Sequence, residues 1–124
     1  MDVTPLIPAG RQVVESYGDG QFRVTGVSHP GSVLVQRDRT DSWAIANIAD
    51  LSVASLAPLF ARPGWVEVLL LGCGPRLIQP GPAFRAELKT LGVVVEPMDT
   101  GAACRTYNVL LSEDRRVAAA LIAV

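Results

Sequence analysis

Val66-Glu67-Val68-Leu69-Leu70-Leu71, closed by Gly72-Cys73-Gly74-Pro75, is the stretch that decides the fold. An apolar run interrupted only by Glu67 is the pattern of a strand buried on both faces. Such a strand needs helices to cover it, and the flanking sequence supplies them. Downstream, Pro80-Gly81-Pro82 opens a helix whose Phe84, Leu88 and Leu91 fall on one face, and Gly92 stops it. Val93–Glu96 is a second buried strand, ended by Pro97. Asp99 or Thr100 caps a further helix with Ala103, Tyr107, Leu110 and Leu111 on one face. Arg115–Val124 closes the chain as an apolar strand. Alternating strands and helices of this kind are α/β grammar with a short parallel ladder.

Upstream the period changes. Asp50 or Ser52 caps a short helix carrying Leu56, Leu59 and Phe60; Pro58 makes it brief and distorted unless it falls in the first turn. Before it the chain is β-prone. Gln12–Tyr17 and Phe22–Val24 flank Gly18-Asp19-Gly20 as a hairpin. His29-Pro30-Gly31 reads as a turn. Ser32–Gln36 is a strand with Val33 and Val35 on one face and Leu34 on the other. Arg37-Asp38-Arg39-Thr40 and Asp41 form a solvated turn, and Ser42–Ala46 returns as a strand around Trp43 and Ile45. Trp43 is expected to be buried against the α/β part. The predicted fold is α/β, a three-layer single domain: a mixed central β-sheet with helices plus an N-terminal β-meander layer. Pro5 and Pro8 set an extended leader over residues 1–11, ahead of one domain over 12–124.

Composition bounds the function. The 124 residues carry 11 basic and 12 acidic side chains, a net charge of −1, which excludes a general nucleic-acid binder with its basic excess. Hydrophobic residues make up 49% and charged ones 19%, enough for a packed core and too few charges for disorder. Cys73, Cys104 and His29 are too few ligands for a structural zinc site, and no cofactor is expected. The N-terminus lacks the basic segment and apolar run of a signal peptide, and no apolar run approaches the ~20 residues that span a bilayer. A soluble cytoplasmic protein without a transmembrane segment, in a reducing compartment, is expected.

Two polar constellations stand out. Gly72, Cys73, Gly74 and Arg76 form a glycine turn after the buried strand, where open α/β sheets bind ligands, with Arg76 placed for an anion. The third glycine of a dinucleotide fingerprint is missing, since residue 77 is Leu, so a tight structural turn explains the same residues. Arg105, Tyr107 and Asn108, in the stretch Asp99–Asn108, are placed to line a polar pocket; equally, they hold the helix to its neighbours, with Arg105 paired to Glu96 or Asp99. Cys73, between glycines, is expected to be accessible, with Arg76 lowering its pKa, while Cys104 fills the core. Glu67 and Glu96, on strands otherwise made of Val and Leu, are each expected to take an ion-pair partner from among Arg105, Arg115 and Arg116.

Several stretches together carry a family resemblance. They are Tyr17–Gly26, Gly31-Ser32-Val33-Leu34, Trp43, Leu70–Gly74, Glu96–Thr100, Ala103–Leu110 and Glu113–Leu121. In order and spacing the chain resembles the small domain-of-unknown-function family that contains the mitochondrial complex I assembly factor three and the adipogenesis-associated Mth-type domain protein. Arg105-Thr106-Tyr107-Asn108 followed by Glu113-Asp114-Arg115-Arg116-Val117 is the most specific part. The resemblance implies a compact three-layer domain and a role bound to partner proteins, and it brings no catalytic residues. The chain departs from the family pattern at Cys73, where Thr is usual, and at Asp114, where Gly is usual. The expected function is a non-enzymatic interaction or assembly protein with a protein partner. The alternative is a small-anion or small-ligand binding protein or enzyme using Gly72–Arg76 and Arg105–Asn108. A homo-oligomer that uses its β layer as the main surface is the third possibility.

Overall fold

A computed structural model describes residue 7 and residues 9–124. The expected leader over residues 1–11 therefore lies mostly outside the described residues. From Val14 onward the chain forms β1 (Val14–Gly18), β2 (Gln21–Val24), β3 (Val27–Pro30), β4 (Val33–Val35) and β5 (Thr40–Ser42). Two short 3-10 segments follow, Ile48–Asp50 and Ala54–Phe60, and then β6 (Val68–Gly72), α1 (Pro82–Thr90), β7 (Val94–Met98), α2 (Thr100–Ser112) and β8 (Val117–Leu121).

The strands make two sheets, a three-stranded one in the order β1-β2-β3 and a five-stranded one in the order β5-β4-β8-β6-β7. In the larger sheet β8 is parallel to β6 and β6 to β7, while β4 is antiparallel to both β8 and β5. This is the mixed α/β sheet the sequence predicts. Alternation along the central strands sends side chains into two separate cores. One face carries Leu34, Leu69, Leu71, Ala118 and Ala120, packed against Leu56 and Leu59 of the second 3-10 segment and Leu88 of α1. The other carries Val33, Val35, Leu70, Ala119 and Leu121, packed against Ala103, Cys104, Tyr107 and Leu111 of α2 and Phe22 and Val24 of the small sheet. The three layers are thus α1 with the 3-10 segments, the five-stranded sheet, and α2 with β1–β3.

The meander is smaller than the sequence suggests. His29 and Pro30 lie in β3 rather than in a turn, and β4 and β5 leave the small sheet to extend the large one. The return strand is Thr40–Ser42 instead of Ser42–Ala46, so Trp43 sits just past its end. Both hairpins of the small sheet turn on two residues, Asp19-Gly20 and Thr25-Gly26, all four with positive φ. That is the turn whose twist matches paired strands, and a second such turn at Thr25-Gly26 is what makes β3 a strand. Thr25 is a β-branched residue at φ 43°, an unfavourable conformation held by the Thr25 Oγ1 bond from Val13 N–H (2.8 Å). Asp114 also has positive φ, which accounts for the glycine usual there.

Pro97 does not end β7 but lies inside it, opposite Leu71. β7 is an edge strand, so a residue without an N–H is tolerated there. The same edge position leaves Val94 exposed, so β7 is half-buried rather than buried on both faces. Leu91 is likewise exposed, beyond the last residue of α1. The Pro58 segment is a 3-10 helix; Pro58 has no N–H for the carbonyl three residues back, Ser55 O, which takes the Trp43 Nε1–H at 3.1 Å instead.

Ion pairs gather where β6 and β8 begin. Arg62 forks onto Asp38 with two bonds of 2.9 Å, and Arg116 Nη2 reaches Glu67 Oε2 at 2.9 Å. Hydrogen bonds from Arg62 and Arg116 hold the Asp38 and Glu67 carboxyls below their ordinary values. A carboxyl whose folded pKa is depressed contributes stability above its unfolded pKa and loses it as pH falls through the folded value. The urea midpoint should therefore fall as pH drops below about 4. Asp38→Asn should flatten that acid limb while lowering the neutral-pH midpoint only slightly, because the pair is exposed.

Candidate functional site

The carboxyl ends of the parallel strands β6 and β8 meet the start of α2, the place where open α/β sheets build sites. Here the chain fills the space with itself. A Cβ added at Gly72 would stand 3.0 Å from Leu121 Cδ2, 3.1 Å from Thr100 Cα and 3.2 Å from Thr100 Oγ1. Thr100 N–H donates to Gly74 O (2.9 Å), Gly74 N–H to Thr100 Oγ1 (3.0 Å), and the Thr100 hydroxyl to Ile122 O (2.7 Å). One threonine thereby ties the glycine turn, the helix and the end of β8 together. Asp99 Oδ1 takes the Ala102 N–H at 2.9 Å, so the first turn of α2 carries its own carboxylate.

Cys73 is 4% exposed, not accessible as its flanking glycines suggest. Its thiol donates to Ile78 O (3.2 Å). Burial pushes the Cys73 pKa up, the opposite of an Arg76-activated thiol, and burial pushes Cys104 up to about 12. Both cysteines are free thiols. Neither should react with a thiol reagent such as Ellman's reagent in the folded protein, and both should react once urea unfolds it. Rapid labelling of Cys73 under native conditions would show that the Gly72–Ile78 loop opens.

Outside this knot lies a groove. Two concavities of about 240 and 360 Å3 share Ile48 and Ile78. Cys73, Gly74 and Arg76 line the first; Leu51, Pro80 and Phe84 line the second. Leu77 and Ile78, at 50% and 40% exposure, stand on the loop between Gly74 and α1. Two adjacent large apolar residues between Pro75 and Pro80 were a signal of this surface in the sequence, since such residues in a loop have no core to enter.

Arg105, Tyr107 and Asn108 do not converge on that loop. Arg105 Nη1 donates to the Tyr17 hydroxyl (3.1 Å), and neither Glu96 nor Asp99 is its partner as the sequence suggested. Tyr107 is fully buried, with its hydroxyl between Gln12 O (2.9 Å) and Gln36 O (3.1 Å) rather than at a rim. Burial pushes its phenol above the ordinary value. Asn108 Oδ1 accepts from Val14 N–H (3.1 Å), and its Nδ2 donates to Val14 O (2.8 Å). The side-chain amide thus copies a strand neighbour along the edge of β1. Tyr107 and Asn108 fasten α2 to β1 and to the chain after β4. Of the seven residues singled out, Cys73, Gly74 and Arg76 share one groove wall, and Gly72 packs behind them.

Three layers about a mixed sheet, with a loop-walled groove at the carboxyl ends of its parallel strands, define a small α/β domain. The chain belongs to the family described as "Protein of unknown function (DUF498/DUF598)", which it matches over residues 14–122. An uncharacterised protein of Rhodobacter capsulatus is 40% identical over 92% of this chain and 86% of its own length. NADH dehydrogenase [ubiquinone] 1 alpha subcomplex assembly factor 3 of Danio rerio is 37% identical over 89% of this chain, which spans 63% of that relative. The solution structure of a Mth938-like domain from Bordetella pertussis superposes with a TM-score of 0.81 at 32% identity, covering 98% of this chain and 92% of that one. Among the described residues no helix is long and apolar enough to cross a membrane.

Proposed function

We propose that the protein is a non-enzymatic assembly factor that docks a protein partner in the groove beside Leu77 and Ile78. The observation that carries this reading is the pair of exposed apolar side chains Leu77 and Ile78 on the loop between Gly74 and Pro80, with Ile78 lining both concavities beside Ile48. Apolar surface of that kind beside rigid elements is what protein partners bury first. The name of the zebrafish relative points to the same class of role, in the assembly of a respiratory NADH dehydrogenase. Arg76, on the groove wall, supplies a charged rim. The reading includes a reducing compartment, where Cys73 and Cys104 remain thiols.

A photo-crosslinking amino acid placed at Leu77 in the native host tests it. Crosslinks to subunits of the NADH dehydrogenase are expected, together with stalled assembly on native gels when Leu77 and Ile78 are both replaced by Asp. Normal assembly with a correctly folded Leu77→Asp/Ile78→Asp variant would remove the groove from the account.

A further inference from the structure

At the opposite end of β6 and β8 from the groove, the ion pairs leave one charge over. Arg37 is 8% exposed, although its place in a charged tetrad predicts a solvated turn. Its guanidinium carbon stands 3.9 Å from the centre of the Trp65 ring, and that of Arg62 stands 4.0 Å from the same centre. Two groups so near one centre cannot share a face, so the indole is held between them. Two of the neighbouring cations are already taken, Arg62 by Asp38 and Arg116 by Glu67, both at 2.9 Å, while Arg11 reaches only the exposed Asp114, at 3.4 Å. Arg37 has no ion-pair partner among the described residues; its Nη2 donates to Trp65 O at 2.8 Å. The Nε atoms of Arg37 and Arg11 are buried and have no partner among the described residues. Burial lowers the Arg37 pKa, Arg11 and Arg116 lower it further, and the nearby Asp114 and Asp38 act the other way.

A buried guanidinium ordinarily meets a carboxylate, because an uncompensated charge out of water is costly. We propose that the corner formed by Arg37 and Arg11 beside Trp65 binds an oxyanion, a carboxylate or a phosphate group. The planar donor fork of arginine suits a group with two acceptor oxygens, and orphaned Nε donors on both side chains supply the contacts. Arg11, with its side chain 27% exposed, forms the side open to solvent. The site stands apart from the groove and does not depend on docking there.

Titration with inorganic phosphate and, separately, with succinate tests the proposal. Ionic strength is held constant with chloride, and arginine Nε–H resonances and tryptophan fluorescence are followed. Saturable shifts at Arg37 and Arg11 are expected with at least one of the two, and which one responds tells phosphate from carboxylate. Arg37→Gln should raise the Kd by about tenfold or more, Arg11→Gln should raise it several-fold, and Arg105→Gln should leave it unchanged. No saturation with either anion, or an unchanged Kd in Arg37→Gln, overturns the proposal. If Arg37→Gln fails to fold, an unchanged Kd in Arg11→Gln overturns it equally.

Discussion

Trp43→Ala is expected to cost the fold about 4 kcal/mol, near the middle of the range for truncating a buried aromatic. The indole is 6% exposed and belongs to the core that Leu34, Leu56, Leu59 and Leu69 build over one face of the sheet. It also does a polar job. Its Nε1–H donates to Ser55 O at 3.1 Å, and its backbone N–H donates to Ser32 O at 2.9 Å. The side chain therefore carries the 3-10 segments as well as filling volume beneath them. Trp43→Phe should recover much of the loss by refilling the space, yet leave the Ser55 carbonyl without its donor. Urea denaturation measures both. A loss below about 1 kcal/mol for Trp43→Ala would mean that the 3-10 layer does not rest on this residue.

Asn108→Ala should cost about 2–3 kcal/mol, from two hydrogen bonds lost and two backbone groups of the buried Val14 left unpaired. Asn108→Asp should be comparably damaging despite its similar shape. It keeps the acceptor for Val14 N–H but sets a carboxylate oxygen against Val14 O in place of a donor. The amide of Val14 should exchange with solvent much faster in either variant. Unchanged exchange at Val14, with an unchanged melting temperature, would show that β1 is held to α2 by other contacts.

The α/β half of the chain was legible because its signals are local. The unbroken Val68–Leu71 run, Pro82 at the start of α1, Gly92 after it and Asp99 ahead of α2 each act over a few residues. The β half was legible only in part. Whether Val33–Val35 pairs with β3 or with β8 depends on residues far along the chain, and alternation alone reads the same in both cases. Side-chain burial failed for a related reason. Cys73 looks open between two glycines, but Thr100, Ile78 and Ile122 close over that turn from other elements. Arg37 looks solvated among charged neighbours, and it is Trp65, well downstream, that covers it. The resemblance identified the specific stretch Arg105–Asn108; Tyr107 and Asn108 hold the helix to its neighbours, as one of the two readings had it, but their partners lie far away in the chain, and Arg105 meets the Tyr17 hydroxyl instead of a carboxylate.

β8 occupies the centre of the five-stranded sheet and comes last of its strands along the chain. Val33 pairs with Leu121 and Val68 with Val117, so the two halves of the sheet are joined only through this strand. Until residues 117–121 arrive, β4 and β6 each present an open apolar edge, and neither core can close. Contacts of such long sequence separation make for slow collapse into the final topology and for a period in which exposed edges invite pairing between chains. The run Val117-Ala118-Ala119-Ala120 suits that late arrival. Small side chains let a strand slide between two preformed layers with little displacement of either. For a growing chain, then, the vulnerable interval is the one just before β8 is inserted.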